Sequence, residues 1–141
     1  MSFHVAGSMS FYTARCSVLL ILVLSSSLCK AADKEQLSVA LAAVDANLKT
    51  SAGKQYDAEI GKQLTQQHAA AIRQCRQSNQ NDGVDPFDIF LKLKADGRVD
   101  QALAYPEAPL ATCTRDALSN AKFSAPPHDD YWVNIHLELK R

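Results

Sequence analysis

The chain has 141 residues, with 15 basic and 15 acidic side chains and a formal net charge of zero at pH 7. This balance excludes the strong positive field through which proteins bind nucleic acid or anionic lipid surfaces. A chain of this length is expected to form one folded domain with a modest core.

The first predicted segment is a signal peptide at residues 1–31. An apolar run covers Ser17–Leu24, Arg15 precedes it, and the first acidic residue is Asp33. The run is shorter than the roughly 20 residues that span a bilayer. A basic start, a short apolar run and small residues after it are typical of a secretion signal, so we expect export to the periplasm.

Cleavage of this signal is predicted after Ala31. The alternatives are an uncleaved N-terminal anchor and a lipoprotein anchored at Cys29, and Met9 is an alternative start to Met1. The exported part, residues 32–141, carries 13 basic and 15 acidic side chains, a net charge of −2. No second apolar run follows, so no membrane association is expected after cleavage.

Two helices are predicted next. Apolar residues recur every three or four positions over Asp33–Leu48, which predicts an amphipathic helix within an N-terminal helical segment at residues 32–55. The segment Thr50–Gly53 is expected to interrupt it. A second helix is predicted over Tyr56–Gln77, and His68 on its apolar stripe is interpreted as a half-buried structural histidine.

Two cysteines remain after signal cleavage, Cys75 and Cys113, because Cys16 lies in the signal together with Cys29. An even number of cysteines in an exported chain predicts a disulfide. A redox pair and half of a metal site are the alternatives. The spacing is not Cys-x-x-Cys, and no histidine lies at ligand spacing from either cysteine.

The second half of the chain predicts a small sheet. Alternating apolar residues predict a strand that starts at Phe87 and a last strand over Tyr131–Leu139. Between them we expect a hairpin turn at Asp96-Gly97, a return strand over Arg98–Tyr105 and a helix from Thr112 to Lys122. The fold class is therefore α+β: N-terminal helices, then a β-hairpin, a helix and a strand, forming a small antiparallel three-stranded sheet packed on helices.

A family resemblance rests on these residues. The order of apolar strand, Asp-Gly-x-Val turn (Asp96 to Val99), strand, helix, Pro126-Pro127 break and final alternating strand resembles the C-terminal domain of TonB and TolA. The resemblance assigns residues 56–141 to a TonB/TolA-C-like α+β domain. It implies a periplasmic binding module to whose sheet edge a partner protein adds a strand. Separately from this resemblance, no catalytic residue, no metal and no cofactor is predicted from the sequence.

A partner surface is predicted on the last strand. Its alternation places Val133, Ile135, Leu137 and Leu139 toward the helices, which leaves Trp132, Asn134 and His136 on the opposite face. An exposed tryptophan is a frequent binding anchor, and an open strand edge offers backbone donors and acceptors. In the alternative interpretation, the Asp33–Leu48 helix covers Trp132.

A small secreted inhibitor or immunity-type protein that blocks a cell-envelope enzyme is the alternative function. Such a protein would insert a loop into a cleft, and Ser78–Asp85 and Ala125–Asp130 are the candidate loops. The acidic residues Asp129 and Asp130 next to His128 are interpreted as a polar loop, and no nucleophile motif is present. The sequence therefore predicts a protein-binding function and not an enzyme.

Overall fold

A computed structural model describes residues 25–80 and 86–138, with side chains described from residue 34 onward. The predicted α+β class and the antiparallel three-stranded sheet on helices are confirmed. The elements are α1 (Ser25–Leu48), α2 (Ser51–Gln63), a π-helical segment (Leu64–His68), α3 (Ala69–Ser78), β1 (Phe87–Leu93), β2 (Val99–Tyr105), α4 (Pro109–Ser119) and β3 (Tyr131–Leu137).

Three predictions fall wholly or partly outside the described residues. Most of the predicted signal peptide lies before residue 25, although α1 begins within the predicted signal at Ser25. The candidate loop Ser78–Asp85 includes residues 81–85, which are not described, and the predicted end of the last strand at Leu139 is not described either. Among the described side chains of α1, those that pack on the sheet begin at Leu37, and the predicted cleavage after Ala31 would retain them.

The first two helices meet in a short, capped junction. α1 ends at Leu48, as the periodicity predicts, and Thr50 begins the next helix by accepting a hydrogen bond on Oγ1 from the Gly53 N–H at 2.9 Å. A threonine in extended backbone before a helix satisfies an otherwise unpaired N–H. The predicted start at Tyr56 is therefore wrong, because Ser51–Gly53 form the first turn of α2.

The predicted Tyr56–Gln77 helix contains a π-helical segment that the sequence did not indicate. α2 passes into this segment at Leu64, and α3 continues from Ala69. His68, the last residue of the segment, has φ −113° and ψ −6°, outside regular helical geometry. A single π-helical turn accommodates one extra residue within a helix and rotates the residues that follow.

The sheet has the order β2-β1-β3, with both pairings antiparallel. The β1–β2 hairpin turns at Gly97, which has φ +82°, and a bulge follows Lys92 in the ladder. β1 is therefore the central strand, and β2 and β3 form the two edges. The predicted strands and the Asp-Gly turn agree with these bounds to within one residue over the described part of the chain.

The helix between β2 and β3 starts earlier than predicted. Pro109 is the first residue of α4, and the Thr112 N–H donates to the Ala108 carbonyl, so Thr112 lies inside the helix and does not begin it. Proline is favoured at this position because its missing N–H has no partner there and its φ already suits a helix. α4 ends at Ser119, three residues before the predicted Lys122, and the chain continues through a bridge from Lys122 to Arg98.

Helices pack on both faces of the sheet, but different helices on each, and the second face is covered only in part. On one face, here called the main-core face, α2, α3 and α4 pack on the odd-numbered residues of β1 and β3, including Phe87, Ile89, Leu91, Leu93, Val133 and Ile135. On the other, here called the α1 face, α1 packs through Ala40 and Val44 on Phe90 and Trp132. The central strand is thus apolar on the main-core side, whereas on the α1 side Phe90 is buried between the polar, half-buried Asp88 and Lys92.

The predicted disulfide is present. Cys75 of α3 and Cys113 of α4 are bonded, with their Cα atoms 5.6 Å apart and a sequence separation of 38 residues. The bridge joins two of the three helices that pack on the main-core face. Since it closes a long loop, it restricts the unfolded chain strongly.

Replacing both bridge cysteines with alanine is expected to lower the free energy of unfolding by about 2–4 kcal/mol. Denaturant unfolding of the oxidised protein, the reduced protein and the Cys75→Ala/Cys113→Ala variant measures the loss. The reduced protein separates the effect of the bond from that of the lost sulfur atoms. Equal midpoints for the oxidised and reduced proteins would show that the bridge does not constrain the fold.

Candidate functional site

The outer edge of β2 is the strongest candidate for an interaction site. In an antiparallel ladder, the N–H and C=O of one residue point to the same side of the strand. Lys94 donates its N–H to Arg98, so the even-numbered residues of β1 direct their backbone groups toward β2. Their register partners in β2 include Gln101 and Leu103, and the intervening Ala102 therefore directs its N–H and C=O outward.

A groove runs along this edge. It has a volume of about 490 Å³ and lies between the first half of α1 and the connection from β2 to α4, and we call it the β2-edge groove. Its lining includes Lys34, Leu37, Leu103, Tyr105 and Arg115. Tyr105 is 56% exposed, which is unusual for a large aromatic side chain beside an apolar strand. The volume is in the range of clefts that bind ligands.

The charged side chains of the groove differ in their partners. The guanidinium nitrogens of Arg115 lie 2.8 Å from a carboxylate oxygen of Asp116 and 3.5 Å from one of Glu107, so this cation has two acidic partners. Lys34 is exposed on α1, and no carboxylate of the described residues forms an ion pair with its ammonium group. The groove therefore presents one cation without an acidic partner in the described part of the chain.

The outer edge of β3, which the sequence favoured, is partly covered. Asn47 near the end of α1 donates from Nδ2 to the Trp132 carbonyl at 3.0 Å. This carbonyl points away from β1, and the junction of α1 and α2 lies beside it. The ring of Tyr56 in α2 packs edge-on against the ring of Tyr131, with 5.2 Å between the ring centroids. The first part of the β3 edge is thus occupied by the chain itself.

The prediction that Trp132 lies on an exposed face is wrong. Its side chain is 6% exposed and packs with Val44 and Phe90 under α1. The alternation correctly separates the two faces of β3, but it carries no information on which faces other elements cover. The alternative interpretation, in which the first amphipathic helix covers Trp132, is the arrangement in the structure.

The other two residues of the predicted surface are brought together by Asp88. Its Oδ1 accepts from Asn134 Nδ2 at 3.1 Å and lies 3.0 Å from His136 Nδ1. His136 is exposed and Asn134 is half-buried, with its Oδ1 buried and without a hydrogen-bond partner in the described residues. Asp88 also pairs in register with Tyr105, so this polar cluster reaches toward the β2-edge groove.

The acidic loop before β3 is used to hold the hairpin. Asp129 Oδ1 accepts the Ala95 N–H at 2.8 Å, and Asp130 lies 3.0 Å from the ammonium of Lys92. The hydrogen bond that the Lys92 ammonium donates to Asp130 lowers the pKa of Asp130. Asp130 has φ +55°, in the left-handed region that aspartate tolerates better than most residues. The loop is therefore tied to the sheet, and its carboxylates have structural partners.

A second polar cluster anchors the segment after α4. Gln63, buried in α2, accepts the Ser124 N–H on Oε1 at 3.0 Å and donates to the Ser124 hydroxyl at 2.7 Å. The Tyr56 hydroxyl donates to the Ser124 carbonyl at 2.7 Å, and burial raises the pKa of Tyr56 to about 12. These bonds satisfy buried polar groups and fix the path of the chain toward β3.

Comparison with models of protein families, with curated proteins and with solved structures found no match to this chain. Within residues 25–80 and 86–138, no helix combines the length and apolar character needed to cross a bilayer. No group of three or more His, Cys, Asp or Glu side chains in the described residues is placed to hold a metal ion.

His68 occupies a position that the sequence indicated only in part. Its ring lies 5.0 Å from the Phe123 ring, and its Nε2 is buried without a hydrogen-bond partner in the described residues. Burial lowers the pKa of His68 below its ordinary value. The half-buried position agrees with the sequence interpretation, whereas the π-helical backbone that places it there does not follow from the stripe of apolar residues.

This lowered pKa predicts a pH dependence of stability. In the unfolded chain His68 takes up a proton as the pH falls through about 6.5, whereas folded His68 resists protonation. The free energy of unfolding should therefore decrease as the pH falls from about 6.5 toward the lower pKa of folded His68. Above about pH 6.5, His68 should no longer make the free energy of unfolding depend on pH.

The measurement is an NMR titration of the His68 ring in the folded protein and in urea. The folded resonance is expected to titrate at the lower pH. A His68→Phe variant should lose this part of the slope of stability against pH. A folded midpoint at or above the midpoint in urea would contradict the assignment.

Proposed function

We propose that the chain is an exported, periplasmic protein-binding module of the TonB/TolA C-terminal type that engages a partner protein through a sheet edge. The observation that carries the proposal is the β2-edge groove beside a strand whose Ala102 directs its backbone N–H and C=O outward. A partner segment in extended conformation can add a strand at such an edge.

Export is supported by two features of the chain. The signal-like segment at residues 1–31 provides a route out of the cytoplasm, and the Cys75–Cys113 disulfide suits an oxidising compartment. The resemblance to TonB and TolA supports strand addition as the mode of binding. We propose the β2 edge as the binding edge because the β3 edge is capped at Trp132 by Asn47.

An edge-pairing partner should depend on the outward N–H of Ala102. The Ala102→Pro variant removes this donor without removing a bond of the β1–β2 ladder. We expect partner binding to fall at least tenfold, about 1.4 kcal/mol, with little change in the midpoint of unfolding. The Ala102→Ser variant keeps the N–H and serves as the matched control.

Photo-crosslinking in the native host measures this dependence. A benzoylphenylalanine in place of Tyr105 should form an adduct with a partner protein, and Ala102→Pro should remove the adduct while Ala102→Ser retains it. The same probe in place of Gln55, which is exposed on α2, is the positional control. An adduct that survives Ala102→Pro would contradict binding through the β2 edge.

The inhibitor or immunity-type function is the second candidate. It is supported by the fixed conformation of the exposed Ala125–Asp130 loop, which Asp129 and Asp130 tie to the sheet. A loop held in one conformation loses little entropy when it enters a cleft. A cross-linking probe in place of His128 tests this function, since an inhibitor should give an adduct there that does not depend on Ala102.

A further inference from the structure

The two walls of the β2-edge groove would meet different side chains of an added strand. Successive side chains of a strand point to opposite faces of the sheet. Those on the α1 face would meet Leu37, Leu103 and Tyr105, which are apolar or aromatic, and Lys34 one helical turn before Leu37. Those on the opposite face would meet α4, where Arg115 already has carboxylate partners.

Lys34 lines this groove and carries a positive charge that no carboxylate of the described residues pairs with. It is exposed. The cation of the opposite wall differs, because Asp116 and Glu107 lie beside Arg115. Charge complementarity therefore favours an acidic side chain of the partner on the α1 face of the groove.

We propose that the β2-edge groove takes an extended segment of a partner protein that carries an apolar and an acidic side chain two residues apart. This inference rests on the proposed strand-edge function and names the chemistry of its partner. Two residues apart, the side chains point to the same face, with a separation of roughly 6.6 Å along the strand. The apolar side chain contacts Leu37, Leu103 and Tyr105, and the carboxylate pairs with Lys34.

The expected effect of the charge pair is modest and specific. An exposed ion pair changes affinity by up to roughly fivefold, and reversing the charge of one partner adds repulsion, for a total of about tenfold. The same ion pair predicts that a basic side chain at the acidic position of the segment binds more weakly to the natural protein. It should bind more tightly to a Lys34→Glu variant.

A display library of random nine-residue peptides, selected on the oxidised protein, provides the probe. We expect enriched peptides to share an apolar residue and an acidic residue two positions apart. Fluorescence anisotropy of the synthesised peptides then gives their dissociation constants for the natural protein, for Lys34→Glu and for Lys54→Glu. Lys54 is exposed on α2, outside the groove lining, and is the matched control.

The decisive measurement is the charge exchange. Lys34→Glu should weaken binding of the acidic peptides about tenfold, and changing their acidic residue to lysine should restore it, while Lys54→Glu changes neither. Peptides that lose binding in Ala102→Pro but ignore Lys34→Glu would refute this chemistry and leave the edge function intact. Peptides that bind Ala102→Pro as tightly as the natural protein, or no enrichment at all, would refute both proposals.

Discussion

Replacing Trp132 with alanine is expected to lower the free energy of unfolding by about 3–5 kcal/mol, as for other large aromatic residues removed from a core. The indole is 6% exposed and fills the space between α1 and the sheet, where it packs with Val44 and Phe90. The α1 side of the domain has a small core, so the lost contacts cannot be replaced by neighbours. The variant should also loosen α1 from the sheet.

Denaturant unfolding measures this loss, with His136→Ala as the matched control. His136 lies on the same face of the same strand but is exposed, so its removal should change the free energy of unfolding by less than about 1 kcal/mol. A Trp132→Ala midpoint equal to that of the natural protein would mean that α1 does not cover the indole in solution.

The Gly97→Val substitution is expected to destabilise the domain by about 2–6 kcal/mol, from backbone strain and overpacking together. Gly97 has φ +82°, a conformation that a β-branched residue adopts only under strain. A Cβ atom at this position would also collide with the carbonyl oxygen of Phe123. Phe123 cannot easily move away, because its N–H donates a hydrogen bond to the Gly97 carbonyl.

A second glycine provides the control for this prediction. Gly61 is in α2, where an added Cβ would meet open space. Gly61→Ala should therefore stabilise the protein by about 0.5–1 kcal/mol through its higher helix propensity. Thermal unfolding of both variants should give shifts of opposite sign. A Gly97→Val variant as stable as the natural protein would show that residue 97 does not adopt the positive-φ turn conformation in solution.

The elements of the sheet were predictable because they depend on local patterns. Alternation of apolar and polar residues identified β1 and β3, and the Asp96-Gly97 pair identified the hairpin between β1 and β2. Cys75 and Cys113 were predicted to pair from their number and the expected compartment. Each of these signals is contained within a few residues or in a simple count.

The covered face of the sheet depended on contacts distant in sequence. Alternation placed Trp132 on the face opposite Val133, but the position of α1 decided that Trp132 would be buried as well. Phe90 was the available signal, because it interrupts the alternation of Ile89 and Leu91 with a large apolar residue, and it lies buried under α1. A strand apolar on both sides is typical of a sheet covered on both faces.

The candidate site was predictable only in kind. The sequence predicted an open edge at the last strand and singled out Asn134 and His136, but neither Asp88 between them nor the groove at β2 has a local signature. The groove forms where Lys34 and Leu37 approach a strand about 65 residues later. Such a juxtaposition follows from the path of α1, which no periodicity specifies.

The position of Trp132 has a practical consequence, since it is the sole tryptophan of the chain. Its emission reports the surroundings of one indole, and those surroundings are made by α1. Far-ultraviolet circular dichroism, in contrast, averages over all of the helices. Intrinsic fluorescence therefore separates detachment of α1 from melting of the domain, and does so without a label. A partner that displaces α1 from the sheet would shift the emission maximum of Trp132 to longer wavelength, because the indole would become exposed to water.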